Sequence, residues 1–310
     1  MKKNIYVIIV TWNGMKWIER CLDALRLSTY PVSIVVIDNG SKDDTVHFIK
    51  ENYPEVHLIQ SDKNLGFGQA NNEGMRYALS HGCDYVYLLN QDAYVYPDMF
   101  EKLLEQSEKP ENQRKYAIYS PLHINSDIHK LDKQFKGYLN SISPTIVEDF
   151  FLNKVKSIYP VDGVPAAGWL LPKFTLENIG GFDPIFFHYG EDHHYFQRVL
   201  YHGYKTGLVA TAKMIHDRDD FGNKNVASKN RIYRTIKTQI FLNITLDKSE
   251  ITRKLMRTIL SFSYESIRYL IKGNFVLFIE YHKAIWGNLF HYRDYKIDRA
   301  INKNIGLNWL

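Results

Sequence analysis

Short apolar runs that end in polar clusters recur along the first third of the chain. Ile5–Val10 leads into Thr11-Trp12-Asn13-Gly14, and Ser33–Ile37 leads into Asp38-Asn39-Gly40-Ser41. Val56–Gln60 precedes Asn64-Leu65-Gly66-Phe67-Gly68, and the run from Tyr85 meets Asn90-Gln91-Asp92 before apolar character resumes through Val95. Unbroken runs of this kind fit parallel strands covered on both faces, and the segments between them have the length of crossover helices. Helices are predicted over Lys16–Leu27, Asp43–Asn52 and Ala70–Ser80, with another from Pro97 to about Gln106. Ser41-Lys42-Asp43-Asp44 offers a cap and early acids, which favour a helix start.

The pattern then weakens. A strand is expected at Tyr116–Ser120, and Gln134–Val161 reads as short strands or a flap. Order returns at Val164–Pro172, followed by a helix at Phe174–Ile179, the turn Gly180–Pro184, and a helix opened by His188–Tyr195 that runs through Tyr201. Thr206–Thr211 reads as a last strand ending near His216, and Arg231–Leu289 as long amphipathic helix. The expectation is an α/β domain over residues 1–220 with a helical extension over 221–310.

Composition narrows the class. With 24% charged and 45% hydrophobic residues in 310, the chain suits a packed globular protein and not a disordered one. Cys21 and Cys83 lack metal-type spacing and are expected as buried thiols, consistent with a reducing cytosol. The opening apolar run is too short for a signal peptide, and no stretch reaches the length of a bilayer span. Charge is uneven, with 18 lysines and arginines against nine acids from residue 213 onward, and 21 against 25 before it. Such a basic, aromatic-rich tail can meet nucleic acid, anionic lipid headgroups or nothing.

The polar clusters carry the candidate chemistry. A carboxylate at the carboxyl end of a buried strand sits where open α/β sheets bind ligands, which makes Asp92 the leading metal and diphosphate contact. Mg²⁺ needs only one or two carboxylates when phosphates and water complete its shell. His216 is a second metal candidate, since imidazole suits Mn²⁺-type sites, or else a surface histidine. Asp38 can accept from a pyrimidine N–H or a ribose hydroxyl, or simply cap its turn. The glycines of Asn64–Asn71 can bring phosphate to backbone N–H groups or only pack a helix. Glu191-Asp192 stands at a helix start, where a carboxylate stays ionised and can act as general base, though acids are common there for structural reasons. Trp169 could stack on a sugar or lie in the core. His188, His193, His194 and His202 lack any zinc motif and remain acceptor-side candidates.

Taken together, VTWNG (10–14), VIDNGSKDDT (36–45), NLGFGQANNEG (64–74), LLNQDA (88–93), GGFDPIFFHYGEDHHYFQR (180–198) and the late His216 resemble family 2 glycosyltransferases of the GT-A fold. The likeness covers about residues 4–220 and is greatest to the rhamnosyltransferase-like enzymes of bacterial surface polysaccharide assembly. It implies a Rossmann-like, mostly parallel sheet flanked by helices, and inverting transfer from a nucleoside-diphosphate sugar. Carried over by position, Thr11, Trp12, Asn13, Asp38, Asn39, Asn64, Gly66, Asn71, Gln91 and Asp92 would form the donor site. Asp92, with His216, would hold Mg²⁺ or Mn²⁺; Asp192 would be the base, supported by Glu191; Trp169, Tyr189 and Arg198 would serve the acceptor. Asn90 stands where many relatives have Asp, which lowers the formal charge offered to a cation.

The expected partners are the nucleotide sugar and a saccharide or lipid-linked saccharide, with an anionic membrane surface for the tail and no nucleic acid. The expected location is the cytoplasm, peripheral to the inner face of the cell membrane. Two competing functions are a sugar-phosphate nucleotidyltransferase, which would normally show a basic glycine-rich loop where TWNGMKW stands, and a catalytically weak nucleotide-sugar-binding scaffold.

Overall fold

A computed structural model describes residues 2–142, 145–187, 190–218 and 251–310. Strands β1 (Ile5–Thr11), β2 (Ser33–Asp38), β3 (His57–Gln60) and β4 (Tyr85–Asn90) alternate with helices α1 (Ile18–Arg26), α2 (Thr45–Asn52) and α3 (Phe67–Ser80). Then follow β5 (Ala93–Val95), α4 (Met99–Ser107), β6 (Tyr116–Ile124), α5 (Lys133–Ile142), α6 (Ile146–Phe151), β7 (Ile158–Val161), β8 (Gly168–Pro172), α7 (Lys173–Ile179), α8 (Glu191–Tyr201) and β9 (Lys205–His216). The tail forms α9 (Ile251–Ile271), α10 (Phe275–Phe290) and α11 (Tyr292–Asn302).

The strands make one sheet in the order β3-β2-β1-β4-β8-β6-β9-β5, with β7 on the side of β9. The β3-β2-β1-β4 half is parallel, as the crossover pattern requires. Beyond it, β8 runs antiparallel to both β4 and β6, β6 and β9 are parallel, and β5 and β7 pair antiparallel to β9. The expectation of a mostly parallel sheet is thus met only in the first half. Past β4 the strands are no longer joined one to the next by single crossover helices, so the constraint that enforces parallel pairing disappears.

Successive β1 residues supply both faces of the core: Val7 and Ile9 pack with Leu22, Tyr87 and Phe100, while Ile8 packs with Met75, Leu88 and Trp169. Helix α1 buries Ile18, Cys21, Leu22 and Leu25, the spacing of a single helical stripe. Helix α3 lies close on β1, where a Cβ added at Gly74 would come within 2.3 Å of Ile8. Both cysteines are buried free thiols. The 134–161 region, expected as short strands or a flap, carries helices α5 and α6 before the short β7.

The tail is tied to the main fold. Phe186, Leu255, Ala284 and Tyr295 share a small buried cluster. The buried Asn302 donates to Asp183 Oδ2 at 2.7 Å, and Gly181 N–H donates to the Asn308 carbonyl at 2.7 Å. Gly180 has φ +79° and a Cβ there would meet the Asn308 oxygen at 2.1 Å, so this contact requires glycine. The expected boundary at residue 220 and the first part of the predicted tail helix lie outside the described residues.

Candidate active site

Parallel register gathers the polar clusters at one sheet edge, because Thr11 pairs with Asp38, Val10 with Asn90 and Asp38 with Gln60. A cleft of about 390 Å³ opens there, lined by Trp12, Asn39, Asn64, Gly66, Gln91 and Asp92 from the sequence reading. Val10, Phe67, Asn90 and Phe187 complete its wall without having been singled out as contacts. Gly66 has φ +81°, and a Cβ on it would strike the Phe187 carbonyl oxygen at 2.1 Å. Only glycine lets the two loops meet here.

The other predicted donor residues support this cleft from behind. Thr11 is fully buried and donates its hydroxyl to Gln91 Oε1 at 2.7 Å, which also accepts Trp12 N–H at 3.0 Å. Asn13, at φ +50°, staples two loops by accepting Lys42 N–H at 2.8 Å and donating its own N–H to Ser41 Oγ at 2.9 Å. Asn39 accepts Leu65 N–H at 2.7 Å and donates to Asn64 Oδ1 at 3.1 Å, locking the glycine-containing loop. Asn71 is buried and turned to its own helix, donating to the Phe67 carbonyl at 2.9 Å. Thr11, Asn13 and Asn71 do not line this cleft, and Thr11 Oγ1, Asn13 Oδ1 and Asn71 Nδ2 bond within the fold, so these three are corrected from direct donor contacts to scaffold positions. Asp38 is different: Oδ2 accepts Ser41 N–H at 3.1 Å, while its buried Oδ1 has no partner among the described residues. A buried, unpaired carboxylate oxygen is costly unless a ligand donates to it.

Asp92 follows β4, and the pairing of Ala93 with His216 brings the two predicted metal residues together. His216 Nε2 lies 3.4 Å from Asp92 Oδ1 and 3.5 Å from Asn90 Nδ2. On the other edge of the imidazole, Arg218 Nε donates to Nδ1 at 3.1 Å, and Asp132 Oδ2 stands 4.0 Å away. With Nδ1 accepting from Arg218, Nε2 is the ring nitrogen turned to Asp92. To ligate a cation through Nε2, His216 would carry its proton on Nδ1, which requires Arg218 Nε to turn away from Nδ1 and Asp132 to approach it as the acceptor. Asp92 and His216 thus offer two ligand positions, and no group of three or more His, Cys, Asp or Glu suited to a metal occurs among the described residues. That set fits a hard cation whose remaining positions come from phosphate and water.

Helix α8 presents the acidic pair in its first turn after Gly190, which has φ +97°. Asp192 Oδ1 accepts His193 N–H at 2.7 Å, and Oδ2 makes no hydrogen bond or ion pair among the described residues; the side chain is 22% exposed. Glu191 is buried with Oε2 unpartnered among the described residues, and burial together with the Asp192 charge pushes its carboxyl up to about 7. Its Cβ lies 3.8 Å from where one on Gly68 would stand, which puts it beside the start of α3. Helix α5 spans the two sides of the site. Gln134 accepts a hydrogen bond from Arg218, while Tyr138 Oη lies 3.2 Å from His193 Nε2.

The acceptor assignments need correction. Trp169 is fully buried on β8, with ring contacts to Phe182 and Tyr195, so it cannot stack on a sugar. Arg198 is also fully buried, donating to the Gly181 and Ile179 carbonyls that close α7. Helix α8 turns it toward the core, away from any acceptor. His194 is buried against Phe186, and His202 donates to the Asn302 carbonyl at 3.0 Å, so neither lines the cleft. His188 and Tyr189 lie outside the described residues.

Comparison with known proteins agrees with this layout. The model of glycosyl transferase family 2 matches residues 6–159. The chain is 26% identical over 244 residues to N-acetylglucosaminyl-diphospho-decaprenol L-rhamnosyltransferase of Mycobacterium tuberculosis, covering 72% of this chain and 78% of that protein. It is 25% identical over 227 residues to the dTDP-rhamnosyl transferase RfbF of Shigella flexneri, covering 73% and 72%. In fold it resembles the mannosyltransferase PcManGT of Pyrobaculum calidifontis, solved with GDP-Man and Mn²⁺, with a TM-score of 0.58 at 17% identity over 97% of this chain and 84% of that one. Residues 6–159 thus form a glycosyl transferase family 2 domain, and the sheet that carries these motifs has the GT-A fold of the glycosyltransferases it resembles.

Proposed function

We propose that the chain moves a sugar, with inversion, from a nucleoside-diphosphate donor to a hydroxyl of a saccharide or lipid-linked saccharide used in cell-surface polysaccharide synthesis. The arrangement near the sheet edge carries this reading: Asp92 and His216 stand together, and α5 bonds both Arg218, which holds His216, and His193, the residue next to Asp192. Asp38 Oδ1 takes a donor hydrogen from the base or ribose, and Trp12, 52% exposed at the mouth, covers the nucleotide. Asp92 and His216 would hold Mg²⁺ or Mn²⁺, which when bound neutralises the leaving diphosphate. Asp192 Oδ2 accepts the proton of the attacking hydroxyl. One displacement from the face opposite the diphosphate inverts the anomeric carbon.

Rhamnose is the favoured donor sugar because both curated relatives cited are rhamnosyltransferases, one of them named for a diphospho-decaprenol acceptor. A thermal-shift panel of nucleotide sugars with and without Mn²⁺ tests the donor side. The expected result is stabilisation by one deoxyhexose donor, enhanced by Mn²⁺ in the natural chain and not in Asp92→Asn. Equal enhancement in both proteins would remove Asp92 from the metal site.

Peripheral docking of the tail on anionic membrane belongs to the same reading. Met256, Leu260, Tyr264, Ile267 and Ile271 form an exposed stripe along α9, and Phe275, Ile279, Trp286 and Phe290 form another along α10. Arg253, Arg257, Arg268, Lys272 and Lys283 flank these stripes. No described helix is long and apolar enough to cross a membrane. An interfacial position, with rings and aliphatic groups at the headgroup boundary, accounts for both the apolar stripes and the cations.

A further inference from the structure

The loop over residues 180–187 leads from α7 toward α8 and is gripped by two different parts of the molecule. Helix α3 holds its first half: Asn72 brackets Phe182, accepting its N–H at 2.7 Å and donating to its carbonyl at 2.8 Å, and Gln69 donates to the Pro184 carbonyl at 3.3 Å. Two residues on, Phe186 is only 3% exposed. Its ring meets His194 of α8, with centroids 5.0 Å apart, and shares a buried cluster with Leu255 of α9, Ala284 of α10 and Tyr295 of α11. Phe187 is the opposite case, 48% exposed and lining the donor cleft with Trp12 and Asp92. Two consecutive rings, on Cα atoms ~3.8 Å apart, thus serve the tail and the cleft.

We infer that Phe186 is a positioning residue of the donor cleft: seated among the tail helices, it fixes the ring of Phe187 at the cleft wall and so sets affinity for a nucleoside diphosphate. The tail is then part of the donor site, an inference that rests on the reading of this cleft as a nucleotide site. A ring half in solvent gains little by staying in one place, and a surface loop moves unless something buried restrains it. For Phe187 that restraint is the residue before it, whose ring is out of water and in contact with α8 and the tail. Gly66 leaves room for the Phe187 carbonyl but has no side chain to hold it. Truncating Phe186 leaves a void that tail and loop close only by moving, and Phe187 moves with them. Asn72 and Gln69 still hold the start of the loop, so the effect is confined to the cleft wall while α3 and the sheet stay as they were.

Calorimetric binding of UDP, dTDP and GDP to the full chain is the test. Phe186→Ala is expected to weaken whichever nucleotide the natural chain binds by about five- to tenfold. Phe186→Leu, which refills most of the space, should bring affinity back to within about twofold. Leu255→Ala, on the tail side of the contact, carries the same expectation as Phe186→Ala and stands in for it should that variant not fold. Leu25→Ala is the control: it truncates a buried side chain of α1 that lines no part of the cleft, so it lowers stability and keeps nucleotide affinity. With Phe187→Ala already in place, Phe186→Ala should add less than about twofold, because its effect passes through that ring. The inference is overturned if Phe186→Ala, or Leu255→Ala in its place, binds the nucleotide as the natural chain does, or if Phe186→Ala weakens binding as much with Phe187 already truncated. A natural chain that binds none of the three nucleotides would overturn the reading of the cleft and this inference together; equal binding by natural chain and variant would remove this inference alone.

Discussion

At the scale of single residues, two carboxylates near the site keep an oxygen that a ligand could satisfy. Asp38 Oδ1 and Glu191 Oε2 are both buried and unpartnered among the described residues. For Glu191 this has a sign that can be measured. Its carboxyl is pushed from the ordinary 4.5 to about 7 by burial and by Asp192, so the protonated form favours the fold. That contribution is complete below about pH 4.5 and is lost as pH rises through about 7, a span worth roughly 3 kcal/mol. Glu191→Gln does not titrate. Its melting temperature relative to the natural chain should therefore climb from pH 5 to pH 8, and a constant difference across that range would refute the burial of the carboxyl.

Residue-level reading of the sequence succeeded where strand register alone places a side chain and failed where a distant partner decides. Asp92, Gln91, Asn39 and Asn64 reach the cleft because strand ends and turns put them there. Trp169 and Arg198 do not, and their fate is set by Phe182, Tyr195 and the carbonyls of the Gly180 turn, which no local periodicity reveals. Thr11 stands at a strand tip yet faces Gln91, so position at the edge is not the same as contact with a ligand.

At the scale of elements, the strongest sequence signal was the alternation of apolar runs and helices through β4, and there the predicted strands appear within a few residues of their expected places. The 134–161 region was misread because α5 and α6 are short and interrupted, so too few turns accumulate to reveal a helical period. The contact between the chain's last residues and the Gly180 turn was also hidden in the sequence. Asn302 is its centre, donating to Asp183 and accepting Trp309 Nε1–H at 3.1 Å. Asn302→Ala leaves Asp183, already raised by burial, without the donor that lowers it. The expected loss in denaturant unfolding is about 2 kcal/mol. A change below ~0.5 kcal/mol would show that the tail merely rests on the main fold.

At the scale of the whole molecule, one sheet gathers the cleft residues and the tail helices pack on the main fold through Phe186. The exposed stripes of α9 and α10 predict that the full chain sediments with vesicles containing anionic lipid at low salt. Leu260→Glu/Phe290→Glu, on two faces that touch no site residue, should abolish sedimentation and leave thermal stability unchanged. Undiminished binding by that variant would mean that charge alone, and not the apolar stripe, meets the membrane.

The central claim is that the α8 acid Asp192 takes the proton of the attacking hydroxyl across the cleft from the donor diphosphate. Single-turnover transfer by Asp192→Asn, measured beside donor affinity in the same protein, tests it most directly. The account predicts that transfer falls by about 10²- to 10⁴-fold while donor affinity stays within about twofold. Transfer at the natural rate in Asp192→Asn, with the donor bound as before, would contradict it.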